Sequence, residues 1–130
     1  MKHHPLIERG LKGMIKQGQK CYSNHAKSCR LRNDGMSCFV GQLINDEFYY
    51  TALERGANPK AFMDVRLAIQ KSNPDLNIDI SKRDEPIWSA LQDLQKVHDQ
   101  YGVEQHGDFV NYMREEADRT QRKYFADSGD

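Results

Sequence analysis

Long hydrophobic runs are missing from this sequence. No apolar stretch approaches the roughly 18 residues that span a bilayer, and the opening Met-Lys-His-His-Pro leads into an amphipathic segment, not into a signal-peptide apolar centre with a cleavage site. A cytoplasmic protein without a membrane segment is expected. Cysteine is scarce, with Cys21, Cys29 and Cys38 confined to 18 residues. An odd, clustered trio fits reduced thiols or a metal site better than a secreted disulfide framework. The familiar enzyme templates are absent too: no phosphate-cradling glycine loop, no nucleophile elbow, no His-Glu-x-x-His and no recognisable glycosidase carboxylate pair. Repeats, low-complexity stretches and interdomain linkers are also lacking.

What is present supports a folded chain with a thin core. The mean hydropathy of -0.86 is polar, yet six Tyr, five Phe and Trp88 stand at structured spacings among 38% hydrophobic and 29% charged residues, which excludes wholesale disorder. The 130 residues allow one domain, 1–130, with a flexible tail over 126–130. A formal net charge of +0 hides an asymmetry: residues 1–40 carry eight Lys or Arg against Glu8 and Asp34, so the remainder carries the opposite excess. The basic end could meet nucleic acid or an acidic partner, but it matches no nucleic-acid motif, and neutralisation of the chain's own acidic helices is the preferred reading.

The periodicity predicts a mainly α (α+β) architecture of about five helices and one small antiparallel β-hairpin near residues 28–40. Leu6, Ile7, Leu11, Met14 and Ile15 mark an amphipathic first helix ending near Gly18. Asn33-Asp34-Gly35 between 28–32 and 36–40 is a hairpin signal, because Asn and Gly tolerate positive φ. Asn45 is placed to cap a helix over 46–55, and Asn58-Pro59 to open another that carries Phe62, Val65 and Ile69 inward. Residues 72–83 read as a loop, with an extended arm or short strand over 77–80. Pro86 opens a fourth helix whose inner face reads Ile87, Leu91, Leu94, His98 and Tyr101, closed by Gly102. The last helix, about 108–125, buries Phe109, Met113 and Ala117, and its charged second half is expected to project into solvent or clasp a partner.

Two constellations could carry chemistry. Cys21, His25, Cys29 and Cys38 are four zinc-type ligands separated by three, three and eight residues, an atypical spacing for zinc. The preferred alternative sets Cys29 and Cys38 opposite each other in the hairpin as small buried hydrophobes, with no cofactor. His98-Asp99, on an apolar helix face, could form a catalytic pair oriented by Asp46, Glu47 or Glu54; a buried, hydrogen-bonded histidine is the preferred reading. Among Phe48, Tyr49 and Tyr50, three consecutive aromatics cannot share one helical face, so at least one is core and another exposed.

Around the hairpin, Cys29-Arg30-Leu31-Arg32, Gly35, Cys38-Phe39-Val40-Gly41, Leu43-Ile44, Asp46-Glu47, Tyr49 and Glu54 resemble a family of small uncharacterised proteins encoded by tailed phages, prophages and some bacteria. That family reads approximately Cys-x-Tyr-Arg, Gly-x-x-Cys-Ala-Val-Gly, Leu-Ile-x-Asp-Glu-x-Tyr and then Glu. A second motif, Leu-Gln-x-x-His-Asp, is similar to the segment Leu91 to Asp99. Leu31 stands where the family has an aromatic and Phe39 where it has a small residue; Cys21 and His25 lie outside the pattern. The resemblance implies a grouping of Cys29 and Cys38 with His98, and it marks Arg30, Arg32, Tyr49 and Glu54 as binding candidates. The family has no settled biochemistry, but the resemblance, together with the small size, the missing enzyme templates and the charge polarity, leads to the expectation of a phage-derived accessory protein in the host cytoplasm that binds and modulates a host or phage macromolecule, counter-defence being one such role. The rivals are a small hydrolase or nucleotide-binding enzyme built on His98 and Asp99, and a nucleic-acid-binding protein using Lys12, Lys16, Lys20, Lys27, Arg30 and Arg32. Head-to-tail self-association through the segregated charges and a symmetric dimer through an exposed apolar stripe fit the sequence equally.

Overall fold

The computed structural model describes residues 2–21, 31–33, 35–55 and 58–125. The architecture is mainly helical with one two-stranded antiparallel sheet. In sequence order come α1 (Pro5–Gln17), β1 (Arg32–Asn33), β2 (Met36–Ser37), three 3-10 turns (Val40–Leu43, Asp46–Phe48 and Thr51–Arg55), α2 (Met63–Ser72), a fourth 3-10 turn (Pro74–Leu76), α3 (Pro86–Gln100), the one-turn α4 (Val103–His106) and α5 (Phe109–Phe125). None of the helices described is long and apolar enough to cross a membrane.

α1 starts where its sequence says it should. Pro5 occupies the first helical position, His4 Nδ1 accepts the Leu6 N–H at 3.1 Å, and Glu8 and Lys16 complement the helix dipole. Its inner face buries Leu6, Ile7, Leu11 and Met14. Gly10 belongs to that face for steric reasons, since a Cβ there would lie 2.4 Å from the Phe39 ring. α1 and α3 both pack against α5, and the turn Val40–Leu43 is laid over α1 and α3. Trp88, Phe39, Leu31, Leu91, Leu94, Met113 and His98 fill the interior between them.

Two buried polar side chains hold the loops. Asn73 donates from Nδ2 to the carbonyls of Leu43 (3.0 Å) and Ile69 (2.7 Å) and accepts from Arg9 at 2.8 Å, so one amide joins α1, the Val40–Leu43 turn and α2. Arg66 donates to the carbonyls of Pro59, Lys60 and Ile80 at 2.8, 2.8 and 3.0 Å. With Gln70 on the Ile78 carbonyl (2.8 Å), it holds the arm over 77–80, which is irregular and not a strand.

Several expectations are corrected. Residues 46–55 form two 3-10 turns instead of one helix, because Tyr49 adopts an extended conformation (φ -82, ψ 136) between them. Asn45 does not cap with its side chain; it is tied to Ser72, whose Oγ accepts the Asn45 N–H at 2.8 Å. The helix expected from Pro59 begins at Met63. The Pro59 and Lys60 carbonyls, which such a helix would offer to the N–H groups four residues on, accept from Arg66 instead. Phe62 is consequently 45% exposed, not inward, while Val65 and Ile69 are buried as their spacing predicts. The charged half of α5 does not project: Thr120 and Gln121 are buried, Gln121 Oε1 accepts the His4 N–H at 2.7 Å, and Asp118 lies 2.6 Å from His3 Nε2. The tail over 126–130 lies outside the described residues.

Candidate functional site

The hairpin is shorter than its sequence signal, with Arg32 paired to Ser37 and Asn33 to Met36. Gly35 supplies the positive φ (79°) that the turn requires. Continuing the ladder, the Cys38 N–H donates to the Leu31 carbonyl at 3.0 Å. Cys38 therefore faces Leu31; Cys29, and with it the expected Cys29–Cys38 pairing, lies outside the described residues, as do Arg30, His25 and Lys27. Cys38 is fully buried, and its Sγ accepts the Gly41 N–H at 3.4 Å. Burial pushes its pKa up to about 12, so it is not a thiolate at neutral pH. Cys21 is buried and disulfide-bonded, against the expectation of reduced thiols, and a disulfide sulfur supplies no thiolate to a metal. Among the described residues no group of three or more His, Cys, Asp or Glu is gathered so that it could hold a metal ion.

His98 sits at zero exposure with both ring nitrogens engaged. Nε2 accepts the Cys21 N–H at 3.0 Å. Nδ1 therefore carries the hydrogen and donates to Asp99 Oδ1, also at 3.0 Å. Phe109 meets the ring edge-on at 6.2 Å. Asp46 and Glu54, proposed from sequence as orienting acids, are bonded elsewhere: Asp46 to the Arg32 side chain and Glu54 to the hairpin. One residue away from the Cys21 contact, Lys20 Nζ donates to the Asp99 and Tyr101 carbonyls at 2.8 and 3.2 Å, closing the C-terminal end of α3. His98 and Lys20 together fasten residues 20–21 to that helix end. Tyr101 falls just past α3, where its hydroxyl donates to the Gly107 carbonyl.

Arg32, Tyr49 and Glu54 converge. Among the described residues the Glu54 carboxylate accepts from Leu31 N–H (3.0 Å), Arg32 N–H (3.0 Å) and Tyr49 Oη–H (2.8 Å). The Tyr49 ring in turn carries the Arg32 guanidinium, whose central carbon is 4.4 Å from the ring centroid. Burial, reinforced by the bond to Glu54, pushes the Tyr49 pKa up to about 12. Arg32 Nη2 donates to the Ile44 carbonyl and Nη1 to Asp46, each at 2.5 Å, while its buried Nε–H has no partner among the described residues. Arg32 and Asp46 border a cleft of about 930 Å³ that is also lined by Asn33, Ser37, Gln42 and Asn45, among others.

Sequence reasoning missed that Asp46 serves this arginine, although Asp46 stands in the quoted motif. It also missed Asn73 and Arg66, whose roles depend on carbonyls far along the sequence. The basic end is partly neutralised from within: Arg9 pairs with Asp75 and Arg32 with Asp46, each joining the first forty residues to the acidic remainder. Comparison with protein-family models, with curated proteins and with solved structures finds no match for the protein.

Proposed function

We propose that this protein is a phage-derived accessory factor that acts by binding a host or phage protein, with the cleft between the hairpin and the Asp46–Phe48 turn as its contact surface. The observation that carries this reading is the Glu54 brace. One carboxylate holds two backbone donors and the Tyr49 hydroxyl, and so presents Arg32, backed by the Tyr49 ring, at a preformed polar cleft. An arginine held rigid before binding is a side chain on which protein interfaces concentrate their affinity, because little conformational entropy remains to be lost. His98 supports the same reading from the other side, since both its nitrogens are engaged within the fold and neither is presented to a substrate. The nucleic-acid alternative draws less support, as Lys20 is committed to internal acceptors.

The test is affinity capture of the full-length protein from its cognate cells, run in parallel with Arg32→Ala and an exposed-surface control, Lys16→Ala. A stoichiometric protein retained by the wild type and by Lys16→Ala but lost from Arg32→Ala is the expected result. Recovery of no stoichiometric protein, together with turnover of a nucleotide or nucleic acid by the purified protein, overturns the reading.

A further inference from the structure

The Arg32–Asp46 pair combines a fixed cation with a loosely held anion. The guanidinium is placed by the Tyr49 ring and the Ile44 carbonyl, and its backbone by Glu54; its side chain is 23% exposed. Asp46 touches it through a single oxygen from the neighbouring 3-10 turn, and the Asp46 side chain is 96% exposed. A carboxylate so open to water contributes little through such a pair and can swing away at small cost. Of the five N–H donors that a guanidinium carries, Asp46 and Ile44 occupy one each. Arg32 and Asp46 both line the same cleft.

We propose that Arg32 is the anchor of a carboxylate-binding subsite, and that Asp46 occupies it in the free protein as an internal stand-in for the carboxylate of a polypeptide partner. This deepens, and rests on, the reading of the cleft as a protein-contact surface. The ligand class follows from the local charges. Asp46 shows that a carboxylate reaches the guanidinium from the cleft side. With Asp46 and Glu54 both beside one arginine, the local field is not basic, which disfavours phosphate and polyanions and leaves a planar, singly charged anion able to fork onto two guanidinium N–H groups. The carboxylate comes from an acidic side chain or from the free C-terminus of a polypeptide.

The test is a titration of the isotope-labelled, full-length protein followed by NMR at the Arg32 side chain and the hairpin amides, with two probes: acetyl-Gly-Asp-Gly-amide for a side-chain carboxylate and acetyl-Gly-Gly-Gly with a free terminus for the other source. Saturable shifts centred on Arg32 with either probe are expected. Asp46→Ser, which removes the competitor, binds that probe more tightly by up to about fivefold, the worth of one exposed ion pair; Arg32→Gln, with its folded spectrum retained, does not bind it. Equal affinity of Asp46→Ser and wild type, or a stronger response to inorganic phosphate than to both peptides, overturns the subsite. If neither peptide binds while partner capture still depends on Arg32, the subsite fails and the contact-surface reading stands. If the peptides bind as expected while no protein partner is captured, the reading fails and the subsite stands.

Discussion

His98 shows how a chemically versatile side chain becomes a fastener. Its two nitrogens join Cys21, in the segment after α1, to the last turn of α3. His98→Ala leaves the Cys21 N–H without its acceptor and opens a void beside Phe109, so it is expected to destabilise by about 2–4 kcal/mol, read as a lowered midpoint in thermal or urea unfolding. A midpoint unchanged from wild type contradicts the fastening role. Cys38 is the converse case of a reactive group made inert. With its thiol pushed up to about 12 by burial, the folded protein is expected not to alkylate at Cys38 at pH 8, and to do so promptly in denaturant, with peptide mass mapping as the readout. Rapid labelling in the native state contradicts this.

At the scale of the element, α1 carries two tests. Its N-terminal cap is His4 Nδ1, which accepts the Leu6 N–H and must be unprotonated to do so; burial lowers the His4 pKa below 6.5. A base whose folded pKa is depressed stabilises the fold fully above its unfolded value, and that stabilisation is lost as pH falls from 6.5 through the folded pKa, because the unfolded state then binds the extra proton. Hydrogen exchange at Leu6 is expected to accelerate on acidification across this window more than global unfolding explains, and His4→Asn, a cap that does not titrate there, to remove that pH dependence. The second test is the contact of α1 with Phe39. Gly10→Ala gains up to about 1 kcal/mol in helix propensity but sets a methyl 2.4 Å from a buried ring, and overpacking of this kind costs about 1–3 kcal/mol. A net loss of stability is expected, smaller when Phe39→Leu is added in a double-mutant cycle.

For the molecule as a whole, α5 is the element on which α1 and α3 converge. Asp93 of α3 receives Lys123 Nζ at 3.0 Å and the Tyr124 hydroxyl at 2.6 Å, and His3 and His4 are held by Asp118 and Gln121. Truncation after Asp108 removes the buried Phe109, Tyr112, Met113 and Ala117, uncovers the apolar faces of both partner helices and is expected to replace cooperative unfolding with a broad transition, detectable by circular dichroism in denaturant. A sharp transition at the wild-type midpoint contradicts a central role for this helix.

The sequence by itself determined the elements whose signals are local. Pro5 with Gly18, Pro86 with its apolar stripe, and Asp34-Gly35 each carry their own start, face or turn within a few residues, and α1, α3 and the hairpin stand where those signals put them, to within a residue or two for α1 and α3. Arg32, Tyr49 and Glu54 were legible as motif members but not as neighbours. Tertiary structure alone decided what depends on a distant acceptor. Arg66 takes the carbonyls that would have extended α2 to Pro59. The Tyr49 conformation that lets its hydroxyl reach Glu54 and its ring carry Arg32 divides the helix expected over 46–55. The covered half of α5 follows from partners more than a hundred residues away. In each case a hydrogen bond or ion pair formed across the fold outweighed a propensity that the local sequence expresses correctly, because one buried polar contact left unmade costs more than a turn of helix gains.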